Sequence, residues 1–146
     1  MNLPKKIPIF PLSNFIIFPK ATVPLNIFEP RYIDMVNDSM KTDRYIGIIQ
    51  PKNTNNYENN FSNLYEVGCL GKIINFKETS DNRYLIEIKG IIRFKIKKEY
   101  ENNKKYRECE IDHSYFLDDL QENKEELKFT DLELIFKDLK SLFEKK

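Results

Sequence analysis

The chain has 146 residues, of which 40% are hydrophobic and 13% aromatic, enough for one well-filled core but not for two full domains. Its 24 Lys and Arg residues and 23 Asp and Glu residues leave a formal net charge of +1, whereas dedicated nucleic-acid binders are usually more basic. No apolar stretch approaches the roughly 18 residues that span a bilayer, and the N-terminus lacks the apolar run of a secretory signal. The sequence therefore predicts a soluble, cytoplasmic protein with no membrane segment.

Prolines interrupt the strand-like runs of the first part of the chain. Proline donates no ladder hydrogen bond, so strands between residues 7 and 28 should be short, edge-like or bulged. Pro30 suits the first turn of a helix, and Glu29 lies where a carboxylate is favoured by the helix dipole. The spacing of the next residues predicts a helix from about Pro30 to Met40 with one mostly apolar face. That face comprises Ile33, Val36, Asn37 and Met40.

The middle of the chain is predicted to be mostly strand. Tyr45 to Gln50 is typical of a strand, and the asparagine-rich run that follows it indicates a loop. From Tyr65 onward, strand-like segments occur at close intervals, with a turn at residues 80–82. Gly90 interrupts the alternation and predicts a bulge or bend. A last strand is expected around Arg107 to His113.

The C-terminal part changes to a helical period. Thr130 and Glu133 have the spacing of a capping box. This amphipathic helix should bury its stripe of large apolar residues mainly against the chain's own β domain. It could also form a two-fold contact, so monomer and weak homodimer both stay open. The stripe ends abruptly, which indicates a truncated chain or a short natural variant. Its members are Leu132, Ile135, Phe136, Leu139, Leu142 and Phe143.

Few residues are suited to catalysis or to metal binding. Cys69 and Cys109 lie in apolar-alternating segments outside any CxxC pair, so both should be small buried side chains. His113 has no identifiable partner, and too few ligands are present for zinc. The run from Gly68 to Ile73 is too short for a phosphate-binding loop, and no serine lies in a GxSxG elbow. We predict that the chain is not an enzyme and holds no metal or cofactor.

A series of motifs in a fixed order resembles the Lon N-terminal domain family. IPIFPL, PLNIFEPRY, LYEVGCLGKI and RYLIEIKGIIRFKI follow one another between Ile7 and about Lys98. The resemblance implies a mostly β fold with flanking helices, an α+β arrangement described as a PUA-like pseudobarrel with a C-terminal helical segment. It divides the chain into a Lon N-terminal-like β domain, residues 1–116, and a helical segment, residues 117–146.

The resemblance also implies a function. In Lon proteases this domain helps to recruit unfolded or tagged polypeptides, so a non-catalytic polypeptide-binding module is expected, with a separate protease or ATPase as a further partner. The family-motif residues are expected to be structural, and Arg31 is expected to pair with Glu66. These residues are Phe28, Glu29, Pro30, Arg31, Tyr32, Glu66, Gly68, Gly71, Gly90, Arg93 and Phe94.

The candidate peptide-binding residues are Phe15, Ile16, Ile17 and Phe18, beside a proline-rich turn. A small barrel cannot bury every one of them, and residual exposed apolar surface would be a contact site. The alternative is that all four complete the core. Proline-broken strands also leave unpaired edges to which an extended peptide could add as a strand, so both binding modes stay open.

Two other functions were considered. PUA-like folds also occur in RNA-binding proteins, and a basic strip could serve such a role, although alternating lysines are usual on the solvent face of an antiparallel sheet. RNA is therefore the weaker prediction, and a structural or oligomerising domain is the third. The strip consists of Lys89, Arg93, Lys95, Lys97 and Lys98.

Overall fold

Six strands, one α-helix and one 3₁₀ helix form the part of the chain that the computed structural model describes, residues 2–13, 16–52 and 64–121. The elements are β1 (Lys6–Pro11), β2 (Thr22–Ile27), α1 (Pro30–Met40), β3 (Tyr45–Ile49), β4 (Val67–Glu78), β5 (Tyr84–Tyr100), β6 (Arg107–Asp112) and the 3₁₀ helix η1 (Ser114–Leu120). The prediction of a mostly β fold is confirmed, and α1 begins and ends where the sequence predicts.

The strands form one sheet in the order β2-β5-β4-β3-β1-β6, and β6 also pairs with β5. Among the strands that the structure describes, β1 and β3 run parallel and the other neighbours are antiparallel. β5 has 17 residues, which is long enough to pair with β2 and β4 along its first part and with β6 near its end. The pairings of β1, β3, β4, β5 and β6 thus close a ring, with β2 outside it. The PUA-like pseudobarrel stays a prediction.

Bulges allow the long strands to bend around the ring. Leu70 pairs with Ile92 and Gly71 pairs with Gly90, so Ile91 is an extra residue on β5. The irregularity predicted at Gly90 is therefore confirmed. A β-bulge bends its strand and increases the local twist, which suits a sheet that closes on itself.

The core has two hydrophobic clusters, one on each side of the central strands. The first packs α1 on the sheet, and Tyr32, Met35 and Val36 are its buried helical residues. The second lies inside the ring around the fully buried Phe94. The buried residues of α1 are Tyr32, Met35, Val36 and Ser39. Of the predicted stripe, Val36 is buried, and Ile33 and Met40 are partly buried and pack against the same cluster.

The corner before α1 differs from the prediction in one contact. Arg31 does not pair with Glu66 but with Glu29, whose Oε2 lies 3.2 Å from Arg31 Nε. Its guanidinium also lies 4.7 Å from the ring centroid of Tyr32. A partner two residues away needs no long-range approach, so the local pair forms. Phe28 of the same motif is exposed, whereas Tyr32 packs on Phe10 with a centroid distance of 4.4 Å.

Several predictions fall on residues outside the described ranges. They concern Phe15, the asparagine-rich loop and the whole C-terminal apolar stripe. η1 spans the predicted boundary between residues 116 and 117, and the division into two parts stays a prediction. Within the described ranges, no helix is long and apolar enough to cross a membrane.

Candidate functional site

An open cleft of about 650 Å³ lies where β3 ends and β4 begins. We call it the groove. The loop after β1 forms one of its walls, the start of β4 forms another, and a side chain of β5 contributes to its lining. Residues central to it in the described part of the chain are Ile16, Ile17, Phe18, Tyr65, Val67 and Arg93.

Four large apolar side chains of the groove are open to solvent. Their exposed fractions are 58% for Ile16, 47% for Phe18, 50% for Tyr65 and 42% for Val67. Exposed apolar residues scattered singly are common on soluble proteins, but neighbouring ones around a single cleft mark a contact surface. The groove is therefore the candidate site.

The loop wall is held against β5 at Gly90. The Lys20 N–H donates to the Gly90 carbonyl at 2.7 Å, and the Gly90 N–H donates to the Ala21 carbonyl at 2.8 Å. A Cβ on Gly90 would lie only 2.1 Å from the Phe18 carbonyl oxygen, so only glycine permits this approach. Ile17 is buried beneath the wall. Ile17 thus joins the core while its two described neighbours, Ile16 and Phe18, face solvent, an outcome between the two predicted alternatives.

The strand wall is positioned by backbone hydrogen bonds at the start of β4. The Tyr65 N–H donates to the Gln50 carbonyl at 3.0 Å, and the Ile96 N–H donates to the Glu66 carbonyl at 2.9 Å. Sequence reasoning did not select Tyr65 or Val67 as site residues. Their spacing of two residues, which places extended side chains on one face, was the available signal.

The floor of the groove depends on a glycine from the family motif. Gly68 lines the cleft, and a Cβ there would lie 2.7 Å from both the Ile48 carbonyl oxygen and the Phe94 ring. A Cβ built on Gly71, by contrast, would lie 2.3 Å from the Ile88 side chain in the core. Of the motif glycines, Gly68 therefore lines the groove, Gly90 supports its loop wall, and Gly71 packs inside the sheet.

Arg93 and Lys52 are the cations among the described residues that line the groove, and the charge of Arg93 is balanced by Asp119 of η1. Its Nε and Nη2 lie 3.0 and 2.9 Å from the two oxygens of Asp119, and its backbone N–H donates to the same carboxylate at 3.0 Å. Burial acts to raise the pKa of Asp119, but the hydrogen bonds from Arg93 outweigh it and hold the pKa below the ordinary carboxyl value. Phe116 also stacks with Arg93, 4.7 Å from guanidinium carbon to ring centroid.

The cysteine that lines the groove is not activated as a nucleophile. Cys69 lines the groove, but burial raises the pKa of the thiol to about 12, so the thiol stays protonated at neutral pH. No group of three or more potential metal ligands occurs in the described ranges. The run from Gly68 to Ile73 lies inside β4, as the strand interpretation predicts.

The predicted basic strip does not form an open cationic cleft. Arg93 is paired with Asp119, and Lys97 Nζ lies 3.8 Å from a Glu110 oxygen. Lys95 Nζ lies 4.4 Å from the centroid of the Tyr115 ring. Such contacts are typical of a solvated sheet face. They neutralise only part of the strip, since Lys98 lies over the Tyr100 ring and Lys89 is exposed.

The chain is similar in sequence to Lon proteases. Lon protease 2 of Sorangium cellulosum is 32% identical over 92 residues, which cover 62% of this chain and 11% of the relative. The Lon protease of Cytophaga hutchinsonii is 30% identical over 101 residues, covering 69% of this chain and 12% of the relative. The matched region is thus a small part of the length of these curated relatives.

Solved structures share the fold. A Lon N-terminal domain protein from Xanthomonas campestris matches with a TM-score of 0.59 and 23% identity, covering 73% of this chain and 58% of that chain. The N-terminal domain of a Mycobacterium avium complex Lon protease matches with a TM-score of 0.57 and 14% identity, covering 75% and 54%.

The family model of the ATP-dependent protease La (LON) substrate-binding domain matches residues 6–146. That span covers nearly the whole chain and confirms the resemblance seen in the ordered motifs. The model describes a substrate-binding domain, not a protease or ATPase domain. The chain therefore belongs to the LON substrate-binding domain family.

Proposed function

We propose that the chain binds unfolded or extended polypeptides in the groove and recruits them for proteolysis by a protease or ATPase, without itself catalysing a reaction. The observation that carries the proposal is the cluster of four exposed apolar side chains, Ile16, Phe18, Tyr65 and Val67, around one cleft. Fully burying one such side chain contributes about 1.5–3 kcal/mol. Folded proteins keep their apolar segments inside, so this surface selects chains that have lost their fold.

The geometry favours side-chain docking in the groove over addition of a strand to the sheet. β2 is the end strand and pairs only with β5 among the described strands. Pro24 lies in the middle of β2, and proline on an edge strand removes a donor that an added peptide would need. The groove, by contrast, presents apolar side chains directly to solvent.

The proposal includes a cytoplasmic location. Cys69 and Cys109 are both buried and form no disulfide. Burial raises the pKa of each thiol to about 12. Free thiols of this kind are usual in reducing compartments, where proteolysis of unfolded chains by ATP-dependent enzymes would also take place.

The proposal is tested with a permanently unfolded probe. Fluorescently labelled α-lactalbumin, reduced and carboxymethylated, should bind the chain in an anisotropy titration, whereas the disulfide-intact protein should not. Phe18→Ser and Val67→Ser should each weaken binding about fivefold, because each removes roughly 1 kcal/mol of apolar contact. The same preparation should neither hydrolyse ATP nor cleave casein.

Matched controls lie elsewhere on the surface. Phe28 and Leu85 are exposed by 61% and 43% and do not line the groove. Phe28→Ser and Leu85→Ser should therefore leave the affinity unchanged. Absence of binding by the wild-type chain, or equal losses in both pairs of variants, would overturn the proposal.

A further inference from the structure

Asp119 does not line the groove, yet it holds a residue that does. Its carboxylate accepts three hydrogen bonds from Arg93, two from the guanidinium and one from the backbone N–H. The Asp119 side chain is only 9% exposed, while that of Arg93 is 51% exposed. The guanidinium of this groove-lining residue is therefore held by Asp119 and by the Phe116 ring, while about half of its side chain stays exposed.

A second contact connects the same region to the opposite wall. Lys20 directly follows Phe18 and Pro19 of the loop wall, and its ammonium donates to the backbone carbonyl of Gln121, just after η1. Lys20 has a left-handed backbone, with φ of 71°, so the loop turns sharply at this point. η1 and the residue after it thus contact both Arg93, which lines the groove, and Lys20, which directly follows the loop wall.

We propose that Asp119 is a positioning residue for polypeptide binding, which fixes Arg93 in the groove wall and couples occupancy of the groove to docking of η1 on β5. The inference rests on the function proposed above and adds a residue and a linkage to it. A bound polypeptide that packs against Arg93 stabilises the Arg93 conformation that contacts Asp119, and with it the docked position of η1. By thermodynamic reciprocity, docking of η1 must then strengthen polypeptide binding by the same factor. Occupancy of the groove is thereby communicated to η1, the last helix within the described ranges, through the Arg93–Asp119 pair.

The test combines affinity with hydrogen exchange. Asp119→Asn removes the charge, and Asp118→Asn is the matched control because Asp118 is exposed one residue away. Affinity is measured with the labelled, carboxymethylated α-lactalbumin. Exchange is measured at the amides of Phe116 and Gln121, which donate to the carbonyls of His113 and Asp118.

In the wild-type chain and in Asp118→Asn, saturating probe should slow exchange of these two amides severalfold. Asp119→Asn should bind about fivefold or more weakly, and its η1 amides should exchange rapidly with or without probe. Arg93→Lys keeps the charge but loses the two-point contact, so it should behave like Asp119→Asn and serves as a second variant if the first does not fold.

Two results would overturn the inference. In one, the wild-type chain binds the probe and Asp119→Asn and Arg93→Lys bind equally well. In the other, the probe binds but leaves η1 exchange unchanged. Failure of the wild-type chain to bind the probe at all would instead remove the proposed function, and this inference with it.

Discussion

Gly90 is the single residue on which the loop wall of the groove most depends. The segment from Phe18 to Ala21 lies directly on its backbone, with the Phe18 carbonyl oxygen where a Cβ would be. The neighbouring obstacle is backbone and cannot rotate away as a side-chain tip can. The contact therefore decides how far Phe18 and Ile16 project into the groove.

Gly90→Ala is expected to lower the free energy of unfolding by about 1–3 kcal/mol, the usual cost of overpacking. It should also weaken binding of the unfolded probe, because the loop must move away from β5. Gly71→Ala, at the paired position, should lower stability alone, because its Cβ would meet the Ile88 side chain in the core. Urea unfolding and probe titration of both variants check this prediction. Unchanged probe affinity in Gly90→Ala would contradict it.

At the scale of elements, α1 is attached to the sheet by two phenol groups as well as by its apolar face. The Tyr84 hydroxyl donates to Asn37 Oδ1 at 2.9 Å, and the Tyr106 hydroxyl donates to a carboxylate oxygen of Asp38. Burial, together with the hydrogen bond to Asp38, raises the pKa of Tyr106 above its ordinary value. The position of α1 along the sheet is thus set by polar contacts at consecutive helix residues.

Tyr106→Phe should lower the free energy of unfolding by about 1 kcal/mol at neutral pH, because it removes one hydrogen bond to a carboxylate. The folded-state pKa of Tyr106 lies above the unfolded value of about 10. The stabilisation of the fold by the neutral Tyr106 hydroxyl is therefore complete below about pH 10, and it is lost as the pH rises through the folded-state pKa. The stability difference between wild type and variant should shrink over that range in urea titrations.

Tyr115→Phe is the control for that prediction, since Tyr115 is 68% exposed. Its removal of a hydroxyl should leave stability unchanged at every pH. A wild-type minus Tyr106→Phe difference that is zero at neutral pH, or that stays constant far above pH 10, would show that the bond to Asp38 does not stabilise α1.

For the whole molecule, charge balance decides between partners. The chain has a net charge of +1, and described cations such as Arg93, Lys97 and Arg107 have acidic partners on neighbouring elements. Release of condensed counterions is the main source of non-specific nucleic-acid affinity, and dedicated nucleic-acid binders usually have a larger excess of positive charge.

Any binding to RNA is therefore expected to be weak and to disappear as salt rises. Anisotropy of a labelled single-stranded RNA, titrated at low and at physiological ionic strength, checks this. The unfolded protein probe in the same buffers provides the comparison, because apolar docking should depend little on salt. Nanomolar affinity for one RNA sequence at physiological salt would contradict the prediction.

Much of the fold could be predicted from local patterns. α1 was predicted at its observed limits because Pro30 and the helical spacing are short-range signals. Alternating apolar residues, together with glycine, proline and asparagine positions, likewise predicted the strand around Tyr45, the bulge beside Gly90 and the final strand from Arg107. The order of the sequence motifs was also sufficient to identify the family, because each motif can be recognised within its own short segment.

The groove depended on contacts between segments that are far apart in the sequence. Alternation in an extended segment separates Ile17 from Ile16 and Phe18 but does not tell which face is inward. The approach of their loop to Gly90 makes that choice. The sequence likewise does not predict that Asp119 pairs with Arg93, because that contact forms only when η1 packs against β5. Periodicity is a property of one segment, whereas a binding surface is assembled by the closing of a sheet, and its side chains acquire their neighbours only there.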